Sequence, residues 1–259
     1  MLITLSPSKG QDFSEAPLSK KYTKPIDLKD SELLIKELKK IKSKKLQELM
    51  AVSENIAALN VDRYKTFTTP FTIKNAKQAI FAFKGDVYSG FDLKSFNEDD
   101  YAYAQKHLRI LSGLYGCLRP LDLIQPYRLE MKTKLKNVRG ENLYQFWDER
   151  ITKCINKELK KQKEPVLINL ASNEYFKSVK PKLLEGRLLN ITFKETKAGK
   201  TRVVAIFAKR ARGMMADYIL RNRIEKSADL KKFKLGGYKF DKDLSDDKQW
   251  TFERLQPGT

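Results

Sequence analysis

The sequence predicts an α/β fold: a single compact domain over residues 1–259, with a mixed central sheet flanked by helices. Short apolar runs of the kind that form buried strands alternate with longer stretches whose apolar residues recur at helical spacing. No repeat, low-complexity linker or break in composition divides the chain. The content of 41% hydrophobic and 10% aromatic residues is typical of a folded protein with a sizeable core.

The first predicted elements are one strand and a group of helices. Residues 1–6, MLITLS, form an apolar run that predicts a buried central strand, and the loop SPSKG follows it. Over 31–66 the apolar residues recur at helical spacing, which predicts two or three short helices. Their expected N-caps are Ser31, Ser43 and Ser53.

The middle of the chain predicts a second buried strand and another helix. AIFAF at 79–83 is a compact apolar run before Lys84-Gly85, which predicts the strand. Asn97 and the three acidic residues after it predict a helix start, because acceptors and negative charge stabilise a helix N-terminus. This helix is expected to end near His107, and 108–112 fit either a strand or its continuation.

The second half of the chain predicts further helices and strands in alternation. Residues 143–162 have the pattern of an amphipathic helix, and VLINL at 166–170 that of a buried strand. Segments 187–195 and 201–207, joined by Lys197-Ala198-Gly199-Lys200, predict a hairpin. The remaining predicted elements are a helix over 211–224 and a strand pair at 236–240 and 249–255.

The charge of the chain points to polyanions, above all nucleic acid, as partners. The formal net charge is +20, although part of it could be solvated lysine surface such as 20–48, with ten Lys and no Arg. The chain has 39 Lys and 13 Arg, yet 107–131 contains three Arg and no Lys, and 201–223 contains five Arg and one Lys. Such preference for arginine indicates a requirement for a planar, bidentate guanidinium.

Small polar residues and a cation follow several of the predicted strands. In open α/β sheets ligands bind beyond the carboxyl ends of the strands, where small residues allow close approach and helix N-termini favour anions. The sequence therefore predicts a basic cleft for phosphate-bearing ligands. Its cations are Lys9, Lys84, Arg119, Arg128, Lys209, Arg210 and Arg212.

SGLYG, Ser112 to Gly116, resembles the hairpin of helix-hairpin-helix DNA binders, whose backbone N–H groups hold one phosphate. Its Gly-Leu-Tyr-Gly spacing is one residue longer than the usual Gly-x-Gly, and Pro120 would lie early in the second helix. The alternative is a sharp glycine turn that binds nothing. The residues proposed to bind phosphate here are Ser112, Gly113, Tyr115 and Gly116.

The other polar residues of these loops have two interpretations. Carboxylates could act as acids or bases, or could hold arginines in place by bidentate pairing. Tyrosines could stack on nucleic-acid bases. The carboxylates are Asp86, Asp122, Glu130 and Glu174, and the tyrosines are Tyr88, Tyr115, Tyr127 and Tyr175.

Histidine and cysteine usage predicts neither a metal site nor a cofactor. His107, the one histidine, is expected to be a packed residue near a helix end rather than a catalytic base. Cys117 is expected to be partly buried and inert, with a redox sensor as the alternative, and Cys154 forms no CxxC with it. The first ten residues lack signal-peptide features and no apolar run approaches the ~20 residues of a membrane span, so a cytoplasmic protein is expected.

Long ordered segments of the chain resemble the YaaA-type peroxide stress resistance family of bacteria. The resemblance runs from end to end, although 11–30 and 225–259 add little to it. The segments that carry it are SPSK at the start, AFKGDVYSG at 82–90, HLRILSGLYGCLRPLDLIQPYRLEM at 107–131, LYQFW at 143–147, INLASNEYFKSVKPK at 168–182 and AKRARGMM at 208–215.

This resemblance implies a cytoplasmic protein that helps cells survive hydrogen peroxide and limits iron-driven DNA damage. It also implies a compact α/β fold with a basic cleft, formed by the cations named above, and a helix-hairpin-helix-like element at SGLYG. Affinity for duplex and distorted DNA is implied as well. Gly10 stands where threonine is usual, which weakens any role for a hydroxyl in that loop. Cys117 stands where a small apolar residue is usual, which argues against a shared cysteine sensor.

The first functional hypothesis is a non-catalytic protein that binds duplex, bulged or branched DNA through phosphate contacts, without reading sequence. The alternative is an enzyme of the base-excision or nucleotide-hydrolase type that acts on a nucleotide or nucleobase in the same cleft. Its candidate catalytic residues are Glu174, Asp86 and Ser112. A weaker third possibility is an interaction protein whose basic surface meets an acidic partner.

Overall fold

The computed structural model describes residues 1–257, in which strands and helices alternate. The strands are β1 (Leu2–Leu5), β2 (Gly10–Gln11), β3 (Lys77–Gln78), β4 (Phe83–Lys84), β5 (Leu108–Ser112), β6 (Gly116–Leu118), β7 (Leu123–Ile124), β8 (Val166–Asn169), β9 (Arg187–Lys197), β10 (Lys200–Arg202), β11 (Lys239–Asp241) and β12 (Gln249–Leu255). The α-helices are α1 (Leu28–Leu38), α2 (Ser43–Met50), α3 (Glu54–Thr66), α4 (Ala79–Ala82), α5 (Glu98–His107), α6 (Leu143–Trp147), α7 (Arg150–Leu159), α8 (Asn173–Phe176) and α9 (Ala205–Arg221). Short 3-10 segments are Tyr88–Gly90, here named the 88–90 turn, and Leu93–Ser95, Pro181–Leu183, Ser227–Lys232 and Leu235–Gly237.

The main sheet confirms the predicted mixed sheet of a single α/β domain. Its strand order is β11-β12-β9-β8-β1-β5-β6, and β10 pairs with β9. The five strands from β12 to β5 run parallel, whereas β6 and β11 at the two ends are antiparallel to their neighbours. All four residues of β1 are buried, because β1 has a strand on each side and contacts α5 and α7.

The helix at Asn97 has the predicted start. The Asn97 side chain accepts the backbone N–H of Asp100 at 3.0 Å, and the Asp100 carboxylate accepts that of Asn97 at 3.0 Å, which forms a capping box. Ser53 caps α3, as predicted, by accepting from Ile56. The other two N-cap predictions are wrong by position: Ser43 is the first residue of α2, and Ser31 lies inside α1.

Two apolar runs predicted as strands are helical instead. The tetrapeptide AIFA occurs at 79–82 and at 205–208, and forms α4 in the first case and the start of α9 in the second. Of the strand predicted at 79–83, only Phe83 is in a strand. That strand is β4, which pairs with β2 outside the main sheet. Short apolar runs fit either structure, and in α9 the helix-forming residues that follow decide the outcome.

The other elements predicted in the second half of the chain are present, but one predicted helix is divided into two. The strand at 166–170 is β8, the tail pair is β11 and β12, and the turn at 197–200 joins β9 to a β10 that ends at Arg202. Ala198 and Gly199 have φ of 50° and 72°, the left-handed values of a tight hairpin turn. The predicted helix over 143–162 is interrupted at Asp148, whose φ of 41° separates α6 from α7.

Candidate functional site

The carboxyl ends of β1, β5 and β8 lie at one edge of the sheet because these three strands are parallel neighbours. The strand order changes direction at β1, since the chain first places β5 on one side and later β8 on the other. At this edge the Ser6 hydroxyl accepts the Ser172 N–H at 2.8 Å, and Tyr88 donates its hydroxyl to the Ser6 carbonyl at 3.1 Å. The loops after β1 and β8 are thereby joined.

A buried carboxylate gathers cations beside this edge. Glu130, whose side chain is only 6% exposed, lies 2.8 Å from Lys9 Nζ, 3.0 Å from a terminal nitrogen of Arg128 and 3.8 Å from Lys132 Nζ. Glu174, on α8, accepts the Lys132 N–H at 3.4 Å. We call these five residues the carboxyl-edge cluster. It contains three cations and two carboxylates, and both lysines are about 60% exposed.

The surroundings of Glu130 keep its carboxylate ionised. Burial alone would raise the pKa of Glu130, but the hydrogen bond and charge of Lys9 and the charge of Arg128 outweigh it and hold the pKa below its ordinary value. A charged Glu130 in turn orients Lys9 and Arg128, which come from different loops. Of the two interpretations of the loop carboxylates, Glu130 shows the pairing with an arginine, through one terminal nitrogen of Arg128.

Two further lysines border the cluster. Lys84 is the last residue of β4 and pairs with Gly10 of β2, the residue directly after Lys9, so that the two cations are close together along neighbouring segments. Its Nζ lies 3.0 Å from Glu15 and 3.8 Å from Asp12. Lys209 of α9 lies 3.7 Å from Asp86, which follows β4. The side chains of both lysines remain about half exposed.

The cations 209–212 lie within α9 and not at the end of a strand, so the predicted position is corrected. The close approach of α9 to the 88–90 turn still brings this part of the helix beside the loop after β4. Arg210 is exposed and makes no ion pair with any residue of 1–257. Arg212 is largely buried, its Nε finds no hydrogen-bond partner in the same range, and burial lowers the pKa of its guanidinium.

Arg119 lies at the opposite edge of the sheet, which corrects its assignment to the cleft. It follows β6, and β6 runs antiparallel to β5, so its carboxyl end faces the amino end of β5. There the guanidinium pairs with Asp122 at 2.8 Å and donates to the Lys24 carbonyl at 2.8 Å. The arginines of 107–131 are all held by carboxylates, in the pairs Arg109–Glu158, Arg119–Asp122 and Arg128–Glu130.

The predicted helix-hairpin-helix at Ser112–Gly116 is wrong, because this segment is the turn of the β5–β6 hairpin and is buried throughout. Trp147 donates its indole N–H to the Gly113 carbonyl at 2.9 Å. Gly116 has a φ of 68°, and a Cβ there would lie 2.6 Å from the Trp147 ring. Packing against Trp147 therefore explains the glycine, and Ser112, Gly113, Tyr115 and Gly116 cannot reach a phosphate.

The predicted stacking tyrosines and Ser112 are mostly buried as well. Tyr88, Tyr115 and Tyr127 are at most 6% exposed, whereas Tyr175 is partly exposed. Ser112 shares a 2.6 Å hydrogen bond with the Tyr127 hydroxyl, which removes it as an accessible nucleophile. Asp86 and Glu174, the other candidate catalytic residues, retain solvent contact.

His107 and Lys132 lie at opposite edges of the sheet. His107 is packed as predicted: it stacks on Tyr103 with ring centroids 4.0 Å apart, and its Nδ1 lies 2.9 Å from the Met1 carbonyl oxygen, at the amino edge of the sheet. Lys132 was missed by the sequence interpretation, because it follows directly after the arginine-rich segment and resembles the solvated lysines beyond it. Its one signal was its position two residues after Glu130.

In residues 1–257 no three His, Cys, Asp or Glu side chains are grouped to hold a metal ion. None of the helices in this range is long and apolar enough to cross a membrane.

The fold and the carboxyl-edge cluster define an α/β protein with exposed cations beyond the carboxyl ends of its parallel strands. Residues 1–244 match the family described as peroxide stress protein YaaA. A UPF0246 protein of Alteromonas mediterranea is 51% identical over 256 residues, 99% of each chain. UPF0246 proteins of Saccharophagus degradans and Shewanella baltica are 50% and 49% identical, over 99% of this chain and 100% of their own. The chain belongs to the peroxide stress protein YaaA family.

Proposed function

We propose that this member of a peroxide stress family binds DNA through phosphate contacts at the carboxyl-edge cluster and the cations beside it. The observation that carries the proposal is the gathering of Lys9, Arg128 and Lys132 around the buried carboxylate of Glu130. The lysine heads remain accessible, so each can exchange solvent for a phosphate oxygen without unfolding its loop.

The charge balance supports an anionic ligand. Lys84, Lys209 and Arg210 extend the positive surface away from Glu130, and the whole chain carries +20. Lysine point charges suit a phosphate backbone more than a base edge, which supports binding without sequence preference. The buried glycine turn, Ser112–Gly116, is not part of the proposed DNA-binding site.

Protection from iron-driven damage is part of the proposal. Phosphate oxygens are hard ligands that attract divalent cations, and lysines that occupy them would keep ferrous iron away from the DNA. Peroxide would then react with iron at a greater distance from the sugar and the bases.

The test compares two quadruple variants that remove equal charge at opposite edges of the sheet. The cluster variant changes Lys9, Lys84, Lys132 and Lys209 to Gln. The control variant changes Lys106, Lys160, Lys161 and Lys163 to Gln, four residues that precede the amino ends of β5 and β8. Each variant lowers the net charge from +20 to +16.

Binding of labelled plain duplex, bulged duplex and four-way junction would be measured by fluorescence anisotropy at moderate salt. We expect the cluster variant to lose roughly 100-fold in affinity, because each lost phosphate contact weakens binding on every sequence. The control variant should lose no more than about threefold through the weaker long-range field. An equal loss in both variants would show that net charge alone attracts DNA and would remove the site from the proposal.

A second candidate function is an enzyme that acts on a nucleotide or nucleobase at the same edge. The observation in its favour is Glu174, whose carboxylate lies in the cluster with one acceptor bond of 3.4 Å and keeps solvent contact. Glu174→Gln keeps the shape of the side chain while removing its acid–base chemistry. If wild type forms an abasic or cleaved product, and this variant binds DNA normally but forms none, the protein is an enzyme. If wild type itself forms no product, the result supports the non-catalytic DNA-binding protein.

A further inference from the structure

The two cysteines of the chain meet between the sheet and α7. Cys117 lies on β6 opposite Leu111 of β5, and Arg109 is two residues before Leu111, so these side chains point to the same face of the sheet. Arg109 pairs with Glu158 of α7 at 3.0 Å, which shows that this face meets α7. Cys154 lies one helical turn before Glu158, and α7 contacts β6.

The two thiols are near enough to act on each other's ionisation. The neighbouring Cys117 lowers the pKa of the Cys154 thiol, against the effect of burial. The neighbouring Cys154, together with burial, raises the pKa of Cys117 well above its usual range. The roles of the two thiols therefore differ.

The charged groups around the pair act on Cys154 in opposite directions. The buried guanidinium of Arg109 lowers the pKa of the Cys154 thiol, whereas the carboxylates of Asp27 and Glu158 raise it. Cys154 is partly exposed whereas Cys117 is buried, so a small oxidant reaches Cys154 first.

We propose that Cys117 and Cys154 form a redox-active dithiol that hydrogen peroxide or another small hydroperoxide converts to an intramolecular disulfide. The Cys154 thiolate attacks one peroxide oxygen, the O–O bond breaks, and hydroxide leaves and takes up a proton as water. Cys154 becomes a sulfenic acid. The sulfur of Cys117 then attacks that of Cys154, the S–O bond breaks, and a second water leaves with the proton of Cys117.

The balance is two thiols and one peroxide to one disulfide and two waters, with two electrons passed to the peroxide. A cellular thiol returns the pair to its reduced form by thiol–disulfide exchange. This site is separate from the carboxyl-edge cluster and does not depend on the proposed DNA binding.

The proposal is tested on the full chain, reduced and then freed of reductant. After treatment with one equivalent of hydrogen peroxide, free thiols are counted in denaturant, and a non-reducing digest is examined by mass spectrometry. We expect the count to fall from two to zero per chain, with a peptide that links Cys117 to Cys154 and no covalent dimer. Two remaining thiols, a covalent dimer, or a sulfinic acid at Cys154 without the linked peptide would overturn the proposal.

Two single variants test which cysteine reacts with peroxide and which one resolves the sulfenic acid. The proposal itself is decided by the wild-type experiment. Cys117→Ser should stop at the sulfenic acid of Cys154, which dimedone traps, because the resolving thiol is gone. Cys154→Ser should leave the buried Cys117 unreacted under the same treatment. As a control, the wild-type chain unfolded in guanidinium should lose its thiols more slowly and form mixed products, because the two cysteines are then no longer neighbours.

Discussion

Glu130 is the residue around which the carboxyl-edge cluster is arranged. A buried carboxylate is stable only where cations and hydrogen bonds compensate for its lost hydration, and here Lys9 and Arg128 provide this compensation. The arginine preference of the 107–131 segment has the same origin. Its guanidinium groups pair with carboxylates of the fold, and that of Arg119 does so through two of its nitrogens, so these arginines serve the protein's own structure before any ligand.

Glu130→Gln is expected to lower the free energy of unfolding at pH 7 by about 1–2 kcal/mol, because it leaves Arg128 largely buried without a counter-charge. The measurement is urea unfolding followed by circular dichroism. Glu141→Gln is the control, since the Lys136–Glu141 pair is on the surface and contributes little. A change at Glu130 as small as that of the control would mean that the cluster is held by packing alone.

The pH dependence of the same pair of proteins follows from the pKa of Glu130. Its folded-state pKa lies below the ordinary 4.5, so its ionised form stabilises the fold at neutral pH. This contribution is present above about pH 4.5 and is lost as pH falls through the lowered folded-state value. We therefore expect the stability difference between wild type and Glu130→Gln to shrink when unfolding is repeated between pH 6 and pH 3; a constant difference would contradict the assignment.

Asp27 has the opposite behaviour. Burial, reinforced by the charge of Asp30, raises the pKa of Asp27 from 3.8 to about 6, and its Oδ2 lacks a hydrogen-bond partner within residues 1–257. The folded state therefore prefers the protonated carboxyl, and the fold loses stability as pH rises from about 4 to 7.

Asp27→Asn is expected to remove that loss. The variant should be more stable than wild type by about 1 kcal/mol at pH 7.5, a value reduced for the partial exposure of the side chain, and nearly equal to it at pH 4. Thermal unfolding at the two pH values measures the difference. If Asp27→Asn and wild type were equally stable at both pH values, the Asp27 carboxyl would be hydrated in the folded state.

At the scale of elements, the contact between α9 and the 88–90 turn determines where the cations 209–212 lie. The two backbones touch at glycines: a Cβ on Gly213 would lie 1.8 Å from the Val87 carbonyl oxygen, and one on Gly90 would lie 2.5 Å from that of Arg210. Only a residue without a side chain permits this approach, which brings Lys209 to Asp86.

Gly213→Ala should destabilise the fold by about 3 kcal/mol, because the added methyl group must push α9 from the turn. Gly10→Ala is the matched control: its methyl group would make ordinary contacts of 3.4 Å or more, and less than about 0.5 kcal/mol is expected. Equilibrium unfolding in urea compares the two variants. If Gly213→Ala were as stable as Gly10→Ala, α9 would be free to move away from the 88–90 turn without loss of stability.

At the scale of the whole molecule, only some of the 52 basic residues are placed to contact one ligand together. Most lysines pair with a neighbouring carboxylate on the surface or are solvated, and such charges contribute mainly to the long-range field. The cations available beyond the carboxyl ends are a small set: Lys9, Lys84, Lys132, Lys209 and Arg210.

The salt dependence of DNA binding measures this set. If each of the five cations contacts one phosphate, a plot of log affinity against log salt should have a slope of about −4 to −5. The cluster variant should reduce the slope to about −1, and the control variant should leave it nearly unchanged. A slope near −10 for wild type would mean that a much larger surface than the cluster binds the DNA.

The local pattern of the sequence determined the elements whose signals are complete within a few residues. The buried runs of β1 and β8, the acidic turn after Asn97 and the Ala198-Gly199 turn needed no distant partner, and all four were predicted correctly. The class of fold follows from their alternation. Lys9 lies in the short loop after β1, four residues beyond the end of that strand, as its place in the sequence requires.

The tertiary structure alone decided what depends on strand direction and on long-range contact. The antiparallel return of β6 carries Arg119 to the far edge and encloses Gly116 against Trp147. The sequence had placed Gly116 within a predicted phosphate-binding loop and Arg119 in the predicted cleft. The proximity of Cys117 and Cys154 likewise cannot be seen in the chain, since it needs α7 to pack on β6. Short apolar runs and charged loops are compatible with several arrangements, and the burial of the whole core selects one of them.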